Sequence, residues 1–237
     1  MGTPRTPKGR IKAISAQLAV DYPEALCELD HRTAFELLTA TILSAQTTDA
    51  RVNMVTPTLF AKYPNAAALA GAAPSELEDI VRSTGFYRSK ARNLIAMAQS
   101  LLDRFGGEVP TERDDLVTLA GVGRKTANVV RSVSFGLPGL PVDTHVGRLT
   151  RKWGLTTQDD PVKVEADLCA LLPPDDWGDF SLRTILHGRR VCDAKKPQCE
   201  KCTIEPLCPA SLLPRGPLRR PSCTAEHEDL CPKDSGV

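Results

Sequence analysis

The chain has 237 residues, 41% hydrophobic, 25% charged and 5% aromatic, a mixture that buries one generous core or two modest ones and excludes a disorder-dominated chain. A net charge of +1 excludes a uniformly basic nucleic-acid binder. No apolar run approaches the roughly 18 residues of a membrane span, and no signal-peptide pattern opens the chain. The reading is an intracellular protein, a compartment in which its eight cysteines do not imply a disulfide framework.

Alanine and leucine abound and β-branched residues seldom alternate with polar ones, so the fold class is all-α, with no convincing strand. A helix over Pro7–Asp21 turns Ile11, Ile14, Leu18 and Val20 inward and stops at Pro23. Thr33 and Glu36 form a capping box for the apolar helix AFELLTATILSA, which ends in Gln46-Thr47-Thr48-Asp49. The next helix carries Pro57, which predicts a kink or a split. Asn65 and Pro74 open two short helices, and a longer one runs from the Phe86-Tyr87 region to Phe105, closed by Gly106-Gly107.

Residues 119–130, LAGVGRKTANVV, organise the rest. Upstream, Thr111 and Asp114 make a weak capping box for a short helix carrying Leu116 and Leu119. Gly121 and Gly123 bracket Val122 and allow a sharp turn through positive φ, after which a helix runs to Gly136. The product is a helix-hairpin-helix, whose second helix offers free N–H groups and a positive dipole end to a phosphate. Lys125 lies in that first turn. A nucleophilic lysine needs influences that favour the free amine, and the helix end and adjacent Arg124 both act that way. Taken alone, an ordinary turn with a solvated phosphate-contacting lysine is as good a reading.

Beyond the loop at 137–141, Asp143 is an N-cap for a helix ending near Gly154, and Asp160-Pro161 starts another that ends at Pro173-Pro174. Trp177, Phe180, Leu182, Ile185 and Leu186 form the buried stripe of the next. Charge is uneven: acidic residues crowd 159–179, and Arg183, Arg189, Arg190, Lys195, Lys196 and Lys201 follow. From Ser211 the proline- and arginine-rich, then acidic, sequence reads as a disordered tail.

Cys192, Cys199, Cys202 and Cys208 are separated by six, two and five residues, a density that indicates one metal site. Only Cys199 and Cys202 have zinc-knuckle spacing, whereas a 4Fe-4S cluster held by four cysteines accommodates the wider loop; spacing alone leaves both open. Cys27 and Cys169 read as core residues, and Cys223 and Cys231 fall in the tail.

LAGVGRKTANVV, PVDTHVGRL and the six-two-five cysteine loop occur together in this order, and in this the chain resembles endonuclease III enzymes of the helix-hairpin-helix DNA glycosylase superfamily over about residues 10–210. The resemblance implies a two-lobed helix-hairpin-helix glycosylase fold. A six-helix lobe would span 27–137, an iron-sulfur cluster lobe 1–26 with 138–210, and the tail 211–237. It implies a 4Fe-4S cluster on the four cysteines, Lys125 as the Schiff-base nucleophile and Asp143 as the catalytic carboxylate. Gln46 matches the gap-filling glutamine, and Phe86 stands where the family commonly carries a leucine wedge. Gly121, Gly123, Arg124, Lys195 and Lys196 fall at DNA-contacting positions. Ala120 replaces a common proline.

The activity so implied is a monomeric bifunctional glycosylase and abasic-site lyase, cytoplasmic and nucleoid-associated, acting on double-stranded DNA that contains oxidised pyrimidines or abasic sites. An adenine-DNA glycosylase is the closest alternative. It is opposed by Lys125 and by the residues after Pro209, which leave no room for that family's further domain. The retained Lys125 and Asp143 oppose a merely DNA-binding paralogue. His145 is a candidate neighbour of Asp143 or a satisfied buried histidine, and His187 reads as structural.

Overall fold

The computed structural model describes Pro4 and Thr6–Pro214. Arg5, Cys223, Cys231 and the tail beyond Pro214 lie outside the described residues. Those residues form α-helices and short 3-10 turns with no strand. The helices are α1 (Pro7–Asp21), α2 (Ala34–Leu43), α3 (Asp49–Lys62), α4 (Ala66–Ala70), α5 (Pro74–Val81), α6 (Tyr87–Phe105), α7 (Arg113–Leu116), α8 (Arg124–Phe135), α9 (Thr144–Lys152), α10 (Pro161–Leu171) and α11 (Trp177–Arg190).

Many helix starts follow local rules. The side chains of Thr6, Thr33, Thr48, Asn65, Asp143 and Asp160 each accept a hydrogen bond from a backbone N–H of the turn they cap. The Thr33 cap forms, but the Glu36 carboxylate reaches one residue further back, to the Arg32 N–H at 2.7 Å and the Arg32 guanidinium at 2.8 Å.

Three local expectations fail, and of the kink or split expected at Pro57 the split does not occur. Val20 is 73% exposed, because residues two apart on a helix point about 200° apart and Ile11, Ile14 and Leu18 already define the inner face. Pro57 does not split α3: the helix is continuous, its buried Val52, Val55, Thr56, Leu59 and Phe60 holding it against the core while Pro57 faces solvent. Thr111 caps nothing; Glu112 is the N-cap of α7 without a side-chain bond, and the Thr111 carbonyl is taken by Arg131. Of the hairpin glycines only Gly121 uses positive φ, at +78°, whereas Gly123 is extended at −93°.

Two hydrophobic cores result. The first runs from Leu29 to Val130 and is centred on α2, buried on every side from Phe35 to Leu43, with α3 and α8 packed against it and α4 and α5 against α6. The second unites Ile11, Ile14, Leu18 and Tyr22 of the α1 segment with residues between Leu140 and Ile204, including Trp153 and Phe180. Here α11 packs on α9, α1 and α8. Small residues set those approaches: a Cβ on Gly188 would lie 2.6 Å from His145 Nδ1, and one on Gly178 2.8 Å from Ser132 Cβ.

Candidate active site and cysteine loop

The hairpin turn places Lys125 at the seam between the cores. Gly121 is required twice over, by its φ and because a Cβ there would come within 3.1 Å of Asn93. A Cβ on Gly123 would meet nothing, so glycine at this N-cap serves outward access: it has no side-chain cap, and the first N–H groups of α8 have no helical partners. Arg124, expected beside Lys125 as a positive influence and DNA contact, makes a two-pronged ion pair with Glu165 of α10, at 2.7 and 2.9 Å. That pair neutralises the positive neighbour and bridges the two cores.

Asp143 comes from the second core. One carboxylate oxygen caps α9, accepting from the Val146 N–H at 2.8 Å, and Oδ2 accepts nothing from the described residues. Capping therefore fixes the carboxylate without consuming it. Two recesses open beside it, and among the described residues Lys125 and Asp143 alone line both. One is an open groove along Thr144, Gly147, Arg151 and Pro161. The other, about 570 Å³ including its open mouth, is walled by Leu26, Thr41, Ser44, Val129, Leu182 and Ile185, with Asp49 and Arg189 at its polar side. Leu182 and Ile185, expected in the buried stripe, thus face this recess and are half-exposed. The reason is that α11 serves both cores and its intervening face meets the gap.

Arg189 was not legible as a site residue. Its guanidinium pairs with Asp49 at 2.9 Å and with Glu28, so a second-core helix grips the start of α3 beside the recess. No sequence pattern links residues so far apart. His145 is half-buried, its Nδ1 3.3 Å from Arg148, and burial lowers its pKa.

Gln46 and Phe86 stand on separate exposed turns of the first core, and both have left-handed backbones, φ +56° and +48°. Among the described residues no other non-glycine has positive φ. Non-glycine residues adopt this region at a cost of order 1 kcal/mol or more, which surrounding structure must maintain. Phe86 is 67% exposed, so it is a solvent-facing ring and not a core residue at a helix start.

The four loop cysteines occupy boundary positions. Cys192 follows α11, Cys199 opens the 3-10 turn 199–201, and Cys202 and Cys208 terminate the turns 199–201 and 205–207. All four line one cavity with Trp153 and His187. Among the described residues no group of three or more His, Cys, Asp or Glu is arranged to hold a metal ion. Burial pushes the Cys202 thiol up to about 11 and raises Cys208. His187 is fully buried between the Tyr22 hydroxyl at 3.2 Å and Cys202 Sγ at 3.4 Å, and burial lowers its pKa to about 4. Lys195 and Lys196 are exposed, and their N–H groups donate to Asp193 Oδ1 at 2.8 and 3.0 Å. Asp193 therefore shapes the basic loop, and its place just before the lysines is a readable turn signal.

Residues 39–174 match the HhH-GPD superfamily base excision DNA repair protein model. An endonuclease III from Synechocystis sp. is 51% identical over 191 residues, covering 80% of this chain and 87% of the relative. The chain belongs to the endonuclease III family. Its fold agrees: a non-covalent endonuclease III–DNA complex superimposes with a TM-score of 0.82 at 45% identity, over 86% of this chain and 96% of that one. A trapped endonuclease III–DNA covalent intermediate matches with the same TM-score and identity.

Proposed function

We propose that this chain is a bifunctional DNA glycosylase and abasic-site lyase of base-excision repair that removes oxidised pyrimidines such as thymine glycol from double-stranded DNA. The observation that carries this reading is the placement of Lys125 and Asp143, one from each core, on the walls of the same two recesses. A trapped covalent intermediate in the family accords with an enzyme that bonds to its substrate. The groove suits the deoxyribose-phosphate strand, and the more enclosed recess suits an extruded base, with apolar walls for its ring and polar groups for its edge.

In this reading the Lys125 amine attacks C1′ of the damaged nucleotide, and the C1′–N bond breaks as the base departs with a proton. The sugar ring opens to an iminium. Loss of a C2′ proton then expels the 3′ phosphate, cutting the strand by β-elimination. Asp143 Oδ2 faces the positive charge that develops on the sugar and assists the proton transfers. Arg189 and Asp49 orient groups at the side of the base recess. Phe86 and Gln46 occupy the stack that the base vacates, at a cost of a few kcal/mol for unstacking. Gly121, Gly123 and the start of α8 receive a phosphate, with Lys195 and Lys196 touching the backbone elsewhere. Arg124 contributes through Glu165.

A division into a 27–137 lobe and a second lobe of 1–26 with 138–210 is supported by the two separate cores. In the second, Cys192, Cys199, Cys202 and Cys208 would hold a 4Fe-4S cluster. Their six-two-five spacing leaves only one zinc-knuckle pair, and all four thiols line one recess, which supports a group held by four cysteines. Such a cluster would cross-link the loop through its four cysteines and would take no part in the steps above. Functioning as a monomer within the bacterial nucleoid completes the proposal.

The test is borohydride trapping on a duplex with a single thymine glycol. An adduct from the wild type that Lys125→Gln abolishes supports the lyase chemistry and its residue. Base release without an adduct would make the enzyme monofunctional and overturn the assignment.

A further inference from the structure

Lys90 is 5% exposed, and no carboxylate pairs with it among the described residues. A lysine is almost never buried unless paired, and an aliphatic side chain of similar length would fill this position without desolvating a charge. What Lys90 does instead is bind two loops. Its Nζ donates to the carbonyls of Leu43 and Thr84, both at 2.7 Å, and to Thr47 Oγ1 at 3.0 Å. The Thr47 hydroxyl in turn donates to the Thr84 carbonyl, leaving its lone pairs to accept from Lys90. An ammonium has three N–H bonds and no acceptor, and here all three are used.

The bridged segments carry the two left-handed residues. Gln46 lies between Leu43 and Thr47, and Phe86 follows Thr84 by two. Lys90 also holds Phe86 through its own backbone, its N–H donating to the Phe86 carbonyl at 3.0 Å as α6 begins. Both side chains are exposed while their backbones are strained, so neither conformation is maintained by burial of the residue itself.

We propose that Lys90 is the positioning residue of the intercalating pair: its ammonium ties the turn bearing Gln46 to the turn bearing Phe86 and sets the separation at which the two enter DNA. This rests on the reading of Gln46 and Phe86 as the residues that fill the vacated stack. Lys90 touches neither substrate nor reacting atoms, and its contribution is confined to substrates that must be opened. Duplex excision needs the pair; strand cleavage at an abasic site in single-stranded DNA does not.

The experiment compares these two reactions for the full-length chain and four variants, with 2-aminopurine beside the lesion reporting unstacking. Lys90→Met keeps the length and removes the three bonds. It is expected to lower duplex excision about 100-fold, as an ångström-scale misplacement does, and to reduce the 2-aminopurine signal, with single-strand cleavage near wild type. Thr47→Val removes one leg of the tripod, decides the matter if Lys90→Met does not fold, and is expected to act in the same direction more weakly. Gln46→Ala and Phe86→Ala should shift the same ratio. If they leave it unchanged, the wedge reading fails, and this proposal with it. If they shift it while Lys90→Met or, where that variant does not fold, Thr47→Val leaves the ratio and the fluorescence unchanged, positioning by Lys90 is wrong and the wedge reading stands.

Discussion

The two cores solve the same packing problem by different means. The first is made from one continuous stretch, Leu29 to Val130, around an α2 that is buried on all sides. The second joins α1 to residues more distant along the chain and ends in a cysteine loop built of 3-10 turns and bends, whose cavity is lined by the four thiols. Apolar burial suffices for the first, whereas the last part of the second has little regular structure to hold it. Each core also supplies one of the two residues proposed to act on the substrate: Lys125 comes from the first, Asp143 from the second.

The sharpest way to break the comparison is through the shared site. Lys125→Gln is expected to abolish the borohydride adduct and lower strand cleavage by roughly 1,000-fold or more, with the melting temperature unchanged because Lys125 is exposed. Asp143→Asn keeps a capping oxygen and is expected to cost about 100- to 10,000-fold in excision, again without unfolding. A comparable fall in melting temperature for Asp143→Asn would mean that the residue acts mainly as a cap.

Cys199→Ser should separate the cores themselves. It is expected to remove the visible absorption that the proposed cluster would give and to expose amides of residues 177–208 to hydrogen exchange, with α2 and α6 still protected. A colourless, zinc-loaded and fully folded wild type would refute the cluster assignment.

In the first core, Leu94→Ala, at a fully buried site, is expected to cost about 2–5 kcal/mol of stability in denaturant titration, with visible absorption retained. Loss of the colour as well would mean that the cores do not behave independently.

On the surface of the second, Lys196→Glu should weaken binding to every DNA sequence alike and flatten the salt dependence by about 0.9 in slope for each phosphate no longer neutralised. An unchanged slope would remove that lysine from the interface.

The smallest effect is expected at Glu36. Burial works to raise its carboxyl, but the Arg32 guanidinium and N–H outweigh this and hold it below its ordinary value. A depressed carboxylate stabilises above its unfolded pKa of about 4.3 and loses that contribution as pH falls through the folded value. Wild type minus Glu36→Gln stability should therefore shrink with acidification below about pH 4. A constant difference would show that the pair contributes nothing through ionisation.

The sequence by itself determined what depends on near neighbours. Capping by Thr33, Asn65, Asp143 and Asp160, the Gly106 and Gly136 stops, the hairpin and the cysteine loop were all legible, because a cap, a turn or a chelate is specified by residues a few positions apart. The motifs also sufficed for the family, since Lys125 and Asp143 sit in short patterns of fixed spacing. Periodicity overreached at Val20, where one residue too many was assigned to a helix face, and at Pro57, where tertiary packing held a helix that local chemistry alone would break.

Only the tertiary structure decided where charge goes. Arg124 is drawn to Glu165, Arg189 to Asp49, and Lys90 to three oxygens of two distant turns. The physical reason is that a long cationic side chain carries no local pattern: its partner is whichever acceptor the packed helices leave within about 3 Å and away from water.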